Sequence, residues 1–259
     1  MQHFLKGRNL GLCFIRNDYG ATRFDSAMVT DNIADIHFIG GQSYIAPLYL
    51  YQTPNPDSEN GQNGMFDEAT GLKKKVNFTK EFQDFIRKKY HPNTPSPEEI
   101  FGYIYAVMHC PSYRETYLEF LKMDFPRIPF ADDFSIFREL SAIGTELAEF
   151  HLMKKSCADS PVSFPEPGND TVENVRFVSD ENRQTGSVFI NRNQYFANIP
   201  VSAWEFCIGG YQVLDKWLKS RKGRLLTYQE REHFRNIVSI LSLTGEYMEN
   251  IDKIWQKNL

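Results

Sequence analysis

The N-terminal part of the chain alternates short apolar runs with polar turns. Residues 9–16 are almost continuously apolar over a short length, which is typical of a buried strand. Residues 27–30 and 34–39 predict two weaker strands. Residues 44–51 predict another strand, and its Pro47 places it at a sheet edge or beside a bulge. This region is therefore predicted to form β-structure.

Apolar residues recur at helical spacing through the middle of the chain, and each helix has a recognisable start. Thr79 and Ser96 are predicted N-caps, and Ser96 stands at the head of a Ser-Pro-Glu-Glu capping box. A third helix covers residues 113–122. Asp132 or Asp133 caps a longer fourth helix. This region is predicted to be helical.

The second half of the chain contains another group of predicted strands, which is followed by helices. Residues 172–206 predict hairpins, and the turn at Gly209 and Gly210 precedes another helix. Thr227 and Glu230 form a second capping box at the start of a long helix. Without a strict strand–helix alternation, the pattern predicts an α+β fold, with short β-strands and hairpins flanked by helical segments and a long C-terminal helix at the end.

Two polar loops interrupt this order. They cover about residues 52–77 and 154–170 and are rich in turn-forming and charged residues. Lys73, Lys74 and Lys75 in the first loop are interpreted as a solvated tether. A length of 259 residues suits one large or two small domains, and we interpret residues 1–259 as one domain that carries both loops.

The cysteine content and the lack of long apolar runs predict the cellular location of the protein. The four cysteines are scattered and form no CxxC pair, which predicts reduced thiols and no zinc site. The sequence contains no run of eighteen apolar residues and its N-terminus lacks a signal-peptide pattern. A cytoplasmic location without membrane contact is therefore expected.

The formal net charge is −4, yet residues 209–224 are strongly basic. Five cations stand in this segment: Lys216, Lys219, Arg221, Lys222 and Arg224. One interpretation is contact with DNA phosphates, which positions a protein without reading sequence. The other is an ordinary solvated helix end, because cations near a C-terminus favour the helix dipole.

The familiar catalytic motifs are absent from the sequence. There is no phosphate-binding GxxxxGK[ST] loop, GxGxxG, HExxH or GxSxG motif, and no PD…ExK nuclease pattern. His109 and His151 occupy apolar helical positions that are typical of core histidines. The stripe of Tyr103, Tyr105, Tyr113 and Tyr117 has the helical spacing of core packing, although aromatic stripes can also stack on bases. No catalytic or metal-binding residue is predicted.

Five segments that together span nearly the whole chain form ordered motifs. They are MQHFLKGRNLGLCFIRN, VTDNIADIHFIGGQSYIAPLYLYQ, NFTKEFQDFIRKKY, SPEEIFGYIYAVMHCPSYRETYLEFLKMDFPRIPF and WEFCIGGYQVLDKWLKSRKGR. These segments resemble the C-terminal specificity domain of type ISP restriction-modification enzymes, and the last two are the most specific.

The resemblance implies a target recognition domain that reads double-stranded DNA. Such enzymes join this domain to a nuclease, an ATP-driven translocase and an adenine-N6 methyltransferase in one polypeptide. We expect no cofactor on this chain, with S-adenosylmethionine, ATP and Mg²⁺ confined to the other domains, and the methyltransferase domain as a partner. Because Met1 falls inside a family segment, the chain is expected to be a C-terminal piece of such an enzyme.

Three polar turns carry side chains that can pair with base edges in the major groove. They comprise Arg16, Asn17, Tyr19 and Arg23; Gln42, Ser43 and Tyr44; and Arg192, Asn193 and Gln194. The simpler interpretation is that these residues only supply turn geometry. As DNA readers, they must lie on the same side of the molecule as the basic segment.

Two other functions fit the sequence. A scaffold that docks neighbouring enzyme domains without DNA contact predicts an exposed apolar patch. A self-contained enzyme predicts a deep pocket, lined by residues such as His109 and His151, in which pKa values are strongly shifted.

Overall fold

A computed structural model of the chain describes residues 1–17, 21–37, 39, 42–52, 65–66, 70–157, 160–182 and 184–257. The chain divides into two compact units. The first unit comprises Met1–Leu152 and Asn250–Leu259, and the second comprises Met153–Glu249.

The first unit combines two small antiparallel sheets with a helical layer. Its strands are β1 (Gly11–Ile15), β2 (Met28–Thr30), β3 (Ser43–Pro47), β4 (Tyr49–Tyr51), β5 (Met65–Phe66) and β6 (Lys73–Val76). Its helices are α1 (Gln2–Leu5), α2 (Lys80–Tyr90), α3 (Pro97–Met108), α4 (Pro111–Thr116), α5 (Leu118–Leu121) and α6 (Phe134–His151).

Strand β1 is the centre of the first sheet, whose order is β2-β1-β3. Its burial alternates along the strand, with Cys13 and Ile15 pointing into the core, because successive side chains of a strand face opposite sides. Ile15 pairs with Ser43 at the end of the sheet. The second sheet has the order β4-β6-β5.

Helices α3 and α6 pack closely because each presents a glycine to the other. A methyl group added to Gly144 would lie 1.9 Å from the carbonyl oxygen of Gly102. The Ser96 capping box fixes the start of α3, and Ser141 Oγ donates to the carbonyl of Glu99 at 2.7 Å. Small residues at the crossing therefore allow an unusually close helix pair.

The second unit is an antiparallel meander packed on helices. Its strands are β7 (Arg176–Ser179), β8 (Thr185–Phe189), β9 (Tyr195–Pro200), β10 (Cys207–Ile208) and β11 (Tyr211–Gln212). Its helices are α7 (Val201–Trp204), α8 (Val213–Lys219) and α9 (Tyr228–Gln256), of which the last turns of α9 belong to the first unit. The core includes Val188 and Phe196 from the meander and Leu218 and Phe234 from α8 and α9.

The α+β fold class predicted from the sequence is confirmed, including the long C-terminal helix. Thr79, Ser96 and Asp133 cap their helices as predicted. The helix predicted over residues 113–122 is divided into α4 and α5. Among the described residues, no helix is both long and apolar enough to cross a bilayer.

Two predictions in the first half differ from the structure. Residues 34–37 contain a turn where a strand was predicted. The predicted tether of three lysines is strand β6, which pairs with β4, and the Lys74 ammonium lies 4.3 Å from the ring centre of Tyr49. Pairing with a distant strand and a cation–π contact thus give order to a segment whose composition alone indicates a loop. Residues 53–64 and 67–69 of the predicted loop lie outside the described residues.

Candidate nucleic-acid interface

Two of the three predicted turns meet at one end of the first unit. Because Ile15 pairs with Ser43, the residues after β1 lie beside the residues that begin β3. The ring of Phe125 receives edge-on contacts from Tyr44 and Phe14, with ring centres 5.2 and 5.5 Å away. The Arg16 guanidinium lies 5.2 Å from the centre of the same ring. Phe125 was not identified from the sequence as a site residue. Its ring nevertheless contacts Phe14, Tyr44 and Arg16 at this end of the sheet.

Charges at this sheet end are largely paired. Arg16 Nε donates to Asp124 Oδ1 at 3.1 Å, and both side chains are about half exposed. The backbone N–H of Phe125 and then Arg16 hold the pKa of Asp124 below its usual value. Such an exposed ion pair is worth little. Arg16 is therefore able to exchange Asp124 for another anion at small cost.

The other residues of these two turns differ in accessibility. Asn17 and Gln42 are exposed, and Arg23 is exposed while its Nε donates to Asp25 at 3.2 Å. Ser43 is buried in the sheet, where its N–H donates to the carbonyl of Ile36, so its side chain does not project into solvent. Tyr19 lies outside the described residues.

The third turn lies in the second unit and is shaped by Asn191. Asn191 Oδ1 accepts the N–H groups of Asn193 at 3.0 Å and Gln194 at 2.8 Å, which closes an Asx turn. This geometry exposes Arg192 and Asn193 at the tip. The Asn-Arg-Asn sequence carries this turn signal, although the sequence alone did not identify Asn191 as the residue that shapes it.

Gln194, by contrast, is buried and uses its whole amide inside the fold. Its Oε1 accepts from the N–H of Asp170 at 2.8 Å and from Asn191 Nδ2 at 2.9 Å. Its Nε2 donates to the carbonyl of Glu166 at 3.1 Å and to Asp170 Oδ1 at 2.7 Å. Because all its hydrogen-bonding capacity is occupied, we exclude Gln194 from the interface and correct its predicted role to a structural one.

The basic segment also contains one structural cation. The Arg221 guanidinium lies 3.5 Å from the ring centre of Trp217, and its side chain is only 21 % exposed. Its Nε donates to Glu230 at 3.2 Å and its Nη1 to the carbonyl of Trp217 at 3.0 Å. Arg221 therefore fastens the end of α8 to the start of α9, and it leaves the set of predicted DNA contacts.

The remaining four cations of the segment are exposed. The Lys216 ammonium lies 3.6 Å from the ring centre of Tyr211, and Lys219 pairs with Asp215 at 2.7 Å. Arg224 Nη2 is 3.3 Å from Glu230 and its side chain is 61 % exposed. With Lys222, these residues give a positive surface even after Asp215 and Glu230 are counted.

The third turn and the basic segment share one edge of the second unit. Residues 169–173 run between them. On one side, the N–H of Val172 donates to the carbonyl of Arg224 at 2.9 Å. On the other side, Asn191 Nδ2 donates to the carbonyl of Thr171 at 3.1 Å. One extended segment thus separates the third turn from the basic segment. Two strand spacings place them roughly 10 Å apart.

We call Arg192, Asn193, Lys222 and Arg224 the basic edge. It brings together a turn and a cation cluster that are thirty residues apart in sequence. Turn geometry and positive charge therefore coincide here, as the sequence predicted for this turn. That all three turns and the basic segment face one side of the molecule stays a prediction.

The predicted stripe of tyrosines is mostly core. Tyr103, Tyr105 and Tyr113 are buried, whereas Tyr117 is 37 % exposed. The hydroxyls of Tyr103 and Tyr113 donate to the carbonyls of Pro129 and Arg127. Packing therefore explains three of the four rings, and Tyr117 is the exception.

His109 and His151 belong to the core of the first unit. His109 Nδ1 is 2.8 Å from the carbonyl oxygen of Tyr105, and His151 Nδ1 is 2.6 Å from its hydroxyl. Burial, with a smaller contribution from Arg114, lowers both pKa values, that of His151 to about 4. These shifts come from burial in a packed cluster, and neither histidine lines the groove formed by residues 113–129 or the groove formed by residues 164–170 and 228–235. The described residues also contain no cluster of His, Cys, Asp or Glu suited to a metal ion.

Comparison with known proteins gives one family and several solved structures. The model of the Type ISP C-terminal specificity domain matches residues 1–250. No curated protein matches the sequence. Similar folds occur in the ATP-dependent Type ISP restriction-modification enzyme LlaBIII bound to DNA (TM-score 0.67, 22 % identity) and the DrdV–DNA complex (0.67, 23 %). A nuclease-deletion mutant of the Type ISP enzyme LlaGI with a DNA substrate mimic gives 0.62 and 19 %.

These structures are much longer than the chain. The similarity covers 96, 95 and 95 % of this chain but only 16, 24 and 21 % of the LlaBIII, DrdV and LlaGI chains. At these identities the similarity concerns the fold, which spans both compact units.

Proposed function

The chain belongs to the family of Type ISP C-terminal specificity domains, and from this premise we propose that it recognises a specific sequence in double-stranded DNA. The family match over residues 1–250 confirms the resemblance found in the sequence and is the observation that carries the proposal. The adenine-N6 methyltransferase and the ATP-dependent nuclease that use this information would be other domains of a parent enzyme. S-adenosylmethionine, ATP and Mg²⁺ would bind to those domains.

We assign phosphate contact to the four exposed cations of the basic segment. Lys216, Lys219, Lys222 and Arg224 are accessible. Lys219 and Arg224 pair with the partly buried carboxylates of Asp215 and Glu230 but are themselves largely exposed, and Lys216 lies over an aromatic ring, so these contacts are weak enough to be exchanged. Phosphate contacts fix register without reading sequence. In this proposal Arg221 only holds the segment in place.

Base reading is assigned to the exposed tips of the turns. In the basic edge, Arg192 presents a guanidinium suited to guanine and Asn193 an amide suited to adenine in the major groove. Arg16, Asn17 and Gln42 offer the same chemistry at the sheet end of the first unit, where Tyr44 adds an aromatic ring. Arg23 lies in the same turn region.

The test of phosphate contact is the salt dependence of duplex binding by the full chain, measured by fluorescence anisotropy. Four phosphate contacts predict a slope of log affinity against log salt of about −3.6, and Lys219→Gln with Lys222→Gln should make it shallower by about 1.8. Lys80→Gln with Lys88→Gln removes the same charge from exposed positions on α2 and serves as the matched control. Equal slopes in both double variants would remove the basic segment from the interface.

Sequence specificity is tested by selecting bound duplexes from a random pool. Arg192→Ala should relax the preference at one base pair by about tenfold or more, because one bidentate contact is lost. A uniform loss across sequences would make Arg192 a phosphate contact. No enrichment of any sequence by the unmodified chain would contradict the proposed function itself.

A further inference from the structure

An aromatic groove in the first unit lies beside the sheet end described above. It lies between helices α4 and α5 on one side and residues 123–129 on the other, with a volume of about 600 Å³. Phe120 is 67 % exposed, and Met123 and Phe125 are also exposed. Large apolar side chains concentrated in one groove are unusual on a protein surface and indicate a binding site.

The groove is held open by hydrogen bonds behind its walls. The Tyr113 hydroxyl donates to the carbonyl of Arg127 at 3.0 Å, and the Tyr103 hydroxyl donates to that of Pro129 at 2.8 Å. Tyr103 also accepts the N–H of Ala131 at 2.8 Å. These bonds fix the backbone of the second wall.

The groove is continuous with the sheet end that carries two of the candidate turns. Phe125 forms part of the groove wall and is the same ring that Phe14 and Tyr44 contact edge-on. Arg16 lies over this ring, and Arg127 lines the groove. A ligand in the groove would therefore meet aromatic rings inside and guanidinium groups beside it.

We propose that this groove binds an unpaired nucleobase of DNA, stacked against the exposed ring of Phe120 with Phe125 as the opposite wall. Every base has an aromatic face that can stack on such rings, and the neighbouring phosphates are anionic. Arg127 would hold the neighbouring phosphate, while the Asp124 carboxylate and the Tyr117 hydroxyl can pair with the edge of the base. The inference rests on the proposed function in one respect, since its ligand is DNA.

The lining favours a base over a polypeptide segment. The groove walls are two short helices and a turn that contains Pro126 and Pro129, so no strand edge is available for an extended peptide to pair with. Two guanidinium groups beside an apolar groove complement a flat ring attached to a phosphate backbone. An apolar helix would not use these cations.

The experiment measures single-stranded binding by the full chain, with a fluorescent twelve-residue oligothymidine as the probe. Phe120→Leu keeps apolar bulk but removes the ring, and we expect its affinity to fall about tenfold. Phe120→Trp should retain it. Phe85→Leu changes another exposed phenylalanine, on α2, and is the matched control, which should bind as the unmodified chain does.

A second measurement locates the base directly. The same oligonucleotide with one 5-iodouracil is irradiated with the chain, and we expect crosslinks in tryptic peptides 115–122 and 123–127, which contain Tyr117, Phe120 and Phe125. Crosslinks elsewhere, or equal affinity of Phe120→Leu, would overturn the inference even if duplex binding is normal. Loss of self-association by Phe120→Leu in sedimentation, without loss of oligothymidine binding, would assign the groove to a second copy and overturn it too. Groove crosslinks in a chain that binds no duplex would leave the inference standing and remove the proposed function.

Discussion

The two units differ in what they bury. The core of the first unit contains ionisable groups, among them His109, Cys13 and Cys110. The core of the second unit, as far as the described residues show, is built from aliphatic and aromatic side chains, and its buried polar side chains, Gln194, Ser239 and Thr244, are all neutral. Both solutions satisfy the same requirement, since a buried polar group must find a partner within the fold.

The difference follows from the elements that supply each core. Burial raises the pKa of both thiols to about 12, and it lowers that of Arg114 to about 10. Arg114 Nε nevertheless finds the carbonyl of Met108 at 2.6 Å, where α3 has ended and its last carbonyls lack helical partners. In the second unit, the turns around Gln194 supply such free backbone groups. The free carbonyl at the end of α3 is therefore satisfied by the ionisable Arg114, whereas the turns of the second unit are satisfied by the amide of Gln194.

The largest expected effect breaks the first unit alone. Gly144→Ala would place a methyl group 1.9 Å from the carbonyl oxygen of Gly102 and 2.8 Å from the nitrogen of Ala106, both of them backbone atoms that cannot rotate away. We expect a loss of about 3 kcal/mol or more in the free energy of unfolding. Denaturant titration followed by hydrogen exchange should locate the loss in α3 and α6.

Gly245→Ala is the matched control for this variant. Gly245 also lies in a helix, but a methyl group there meets nothing within 4 Å. Since alanine is the better helix former, this variant should gain up to about 1 kcal/mol. Equal behaviour of the two variants would show that α3 and α6 do not pack as closely as the structure has them.

The next effect is confined to the second unit. Gln194→Leu fills the same space but leaves both the N–H and the carboxylate of Asp170 without the amide that satisfies them. We expect a loss of about 2 to 3 kcal/mol, because partners remain unsatisfied when only one side of a buried hydrogen bond is removed. Asn193→Ala, at the exposed neighbour, should change stability by less than about 0.5 kcal/mol. If the first unit were destabilised instead, the assignment of Gln194 to the second unit alone would be contradicted.

Local signals in the sequence predicted the elements of both units well. The helix starts at Thr79, Ser96 and Asp133 depend on contacts between neighbours two or three residues apart, so the sequence displays them directly. Strand β6 was missed because its order comes from β4, more than twenty residues away. Composition describes a segment by itself and contains no information about a distant partner.

The same limit applies to the candidate interface. The sequence predicts exposed Arg192 and a cluster of cations, but Arg221 and Gln194 have the same residue types as their exposed neighbours and a structural role. What separates them is the set of contacts that covers the side chain: the Trp217 ring together with Glu230 for Arg221, and Asp170 with its neighbouring turn for Gln194. Residue type identifies what a side chain can bind, and only the fold shows whether that capacity is already used.

Mild acid should destabilise the first unit more than the second. In the unfolded chain His151 binds a proton below its ordinary pKa of 6.5, whereas in the folded chain its pKa is about 4. The unfolded state therefore holds more protons between these values, and stability falls as the pH falls. By pH 5 this amounts to about 2 kcal/mol. His109 has a lowered pKa as well and acts in the same direction.

Hydrogen exchange at pH 7 and pH 5 should therefore show that α3 and α6 lose protection before the meander does. His151→Gln should reduce this difference, because a neutral amide takes up no proton. Earlier loss in strands β7, β8 and β9 would mean that the buried imidazoles do not control acid stability.

The smallest effect concerns Glu230, the carboxylate that pairs with both arginines of the basic segment. It accepts the N–H of Thr227 at 3.0 Å and pairs with Arg221 and Arg224, and the Thr227 contact is the main reason that its pKa is lowered. Glu230→Gln keeps the size and one acceptor but loses the charge. We expect a loss of about 1 kcal/mol, the value of a capping interaction.

Glu232→Gln is the control, since Glu232 lies on the same helix but pairs with Arg235 instead of the basic segment, and a partly exposed pair three residues apart contributes little. The two variants remove equal charge, so any long-range electrostatic gain for an anionic ligand is the same in both. If Glu230 also fixes the geometry of the segment, only Glu230→Gln should alter the salt slope of duplex binding. Identical slopes would mean that the cations bind phosphate as independent, flexible side chains and that the fold merely anchors their backbone.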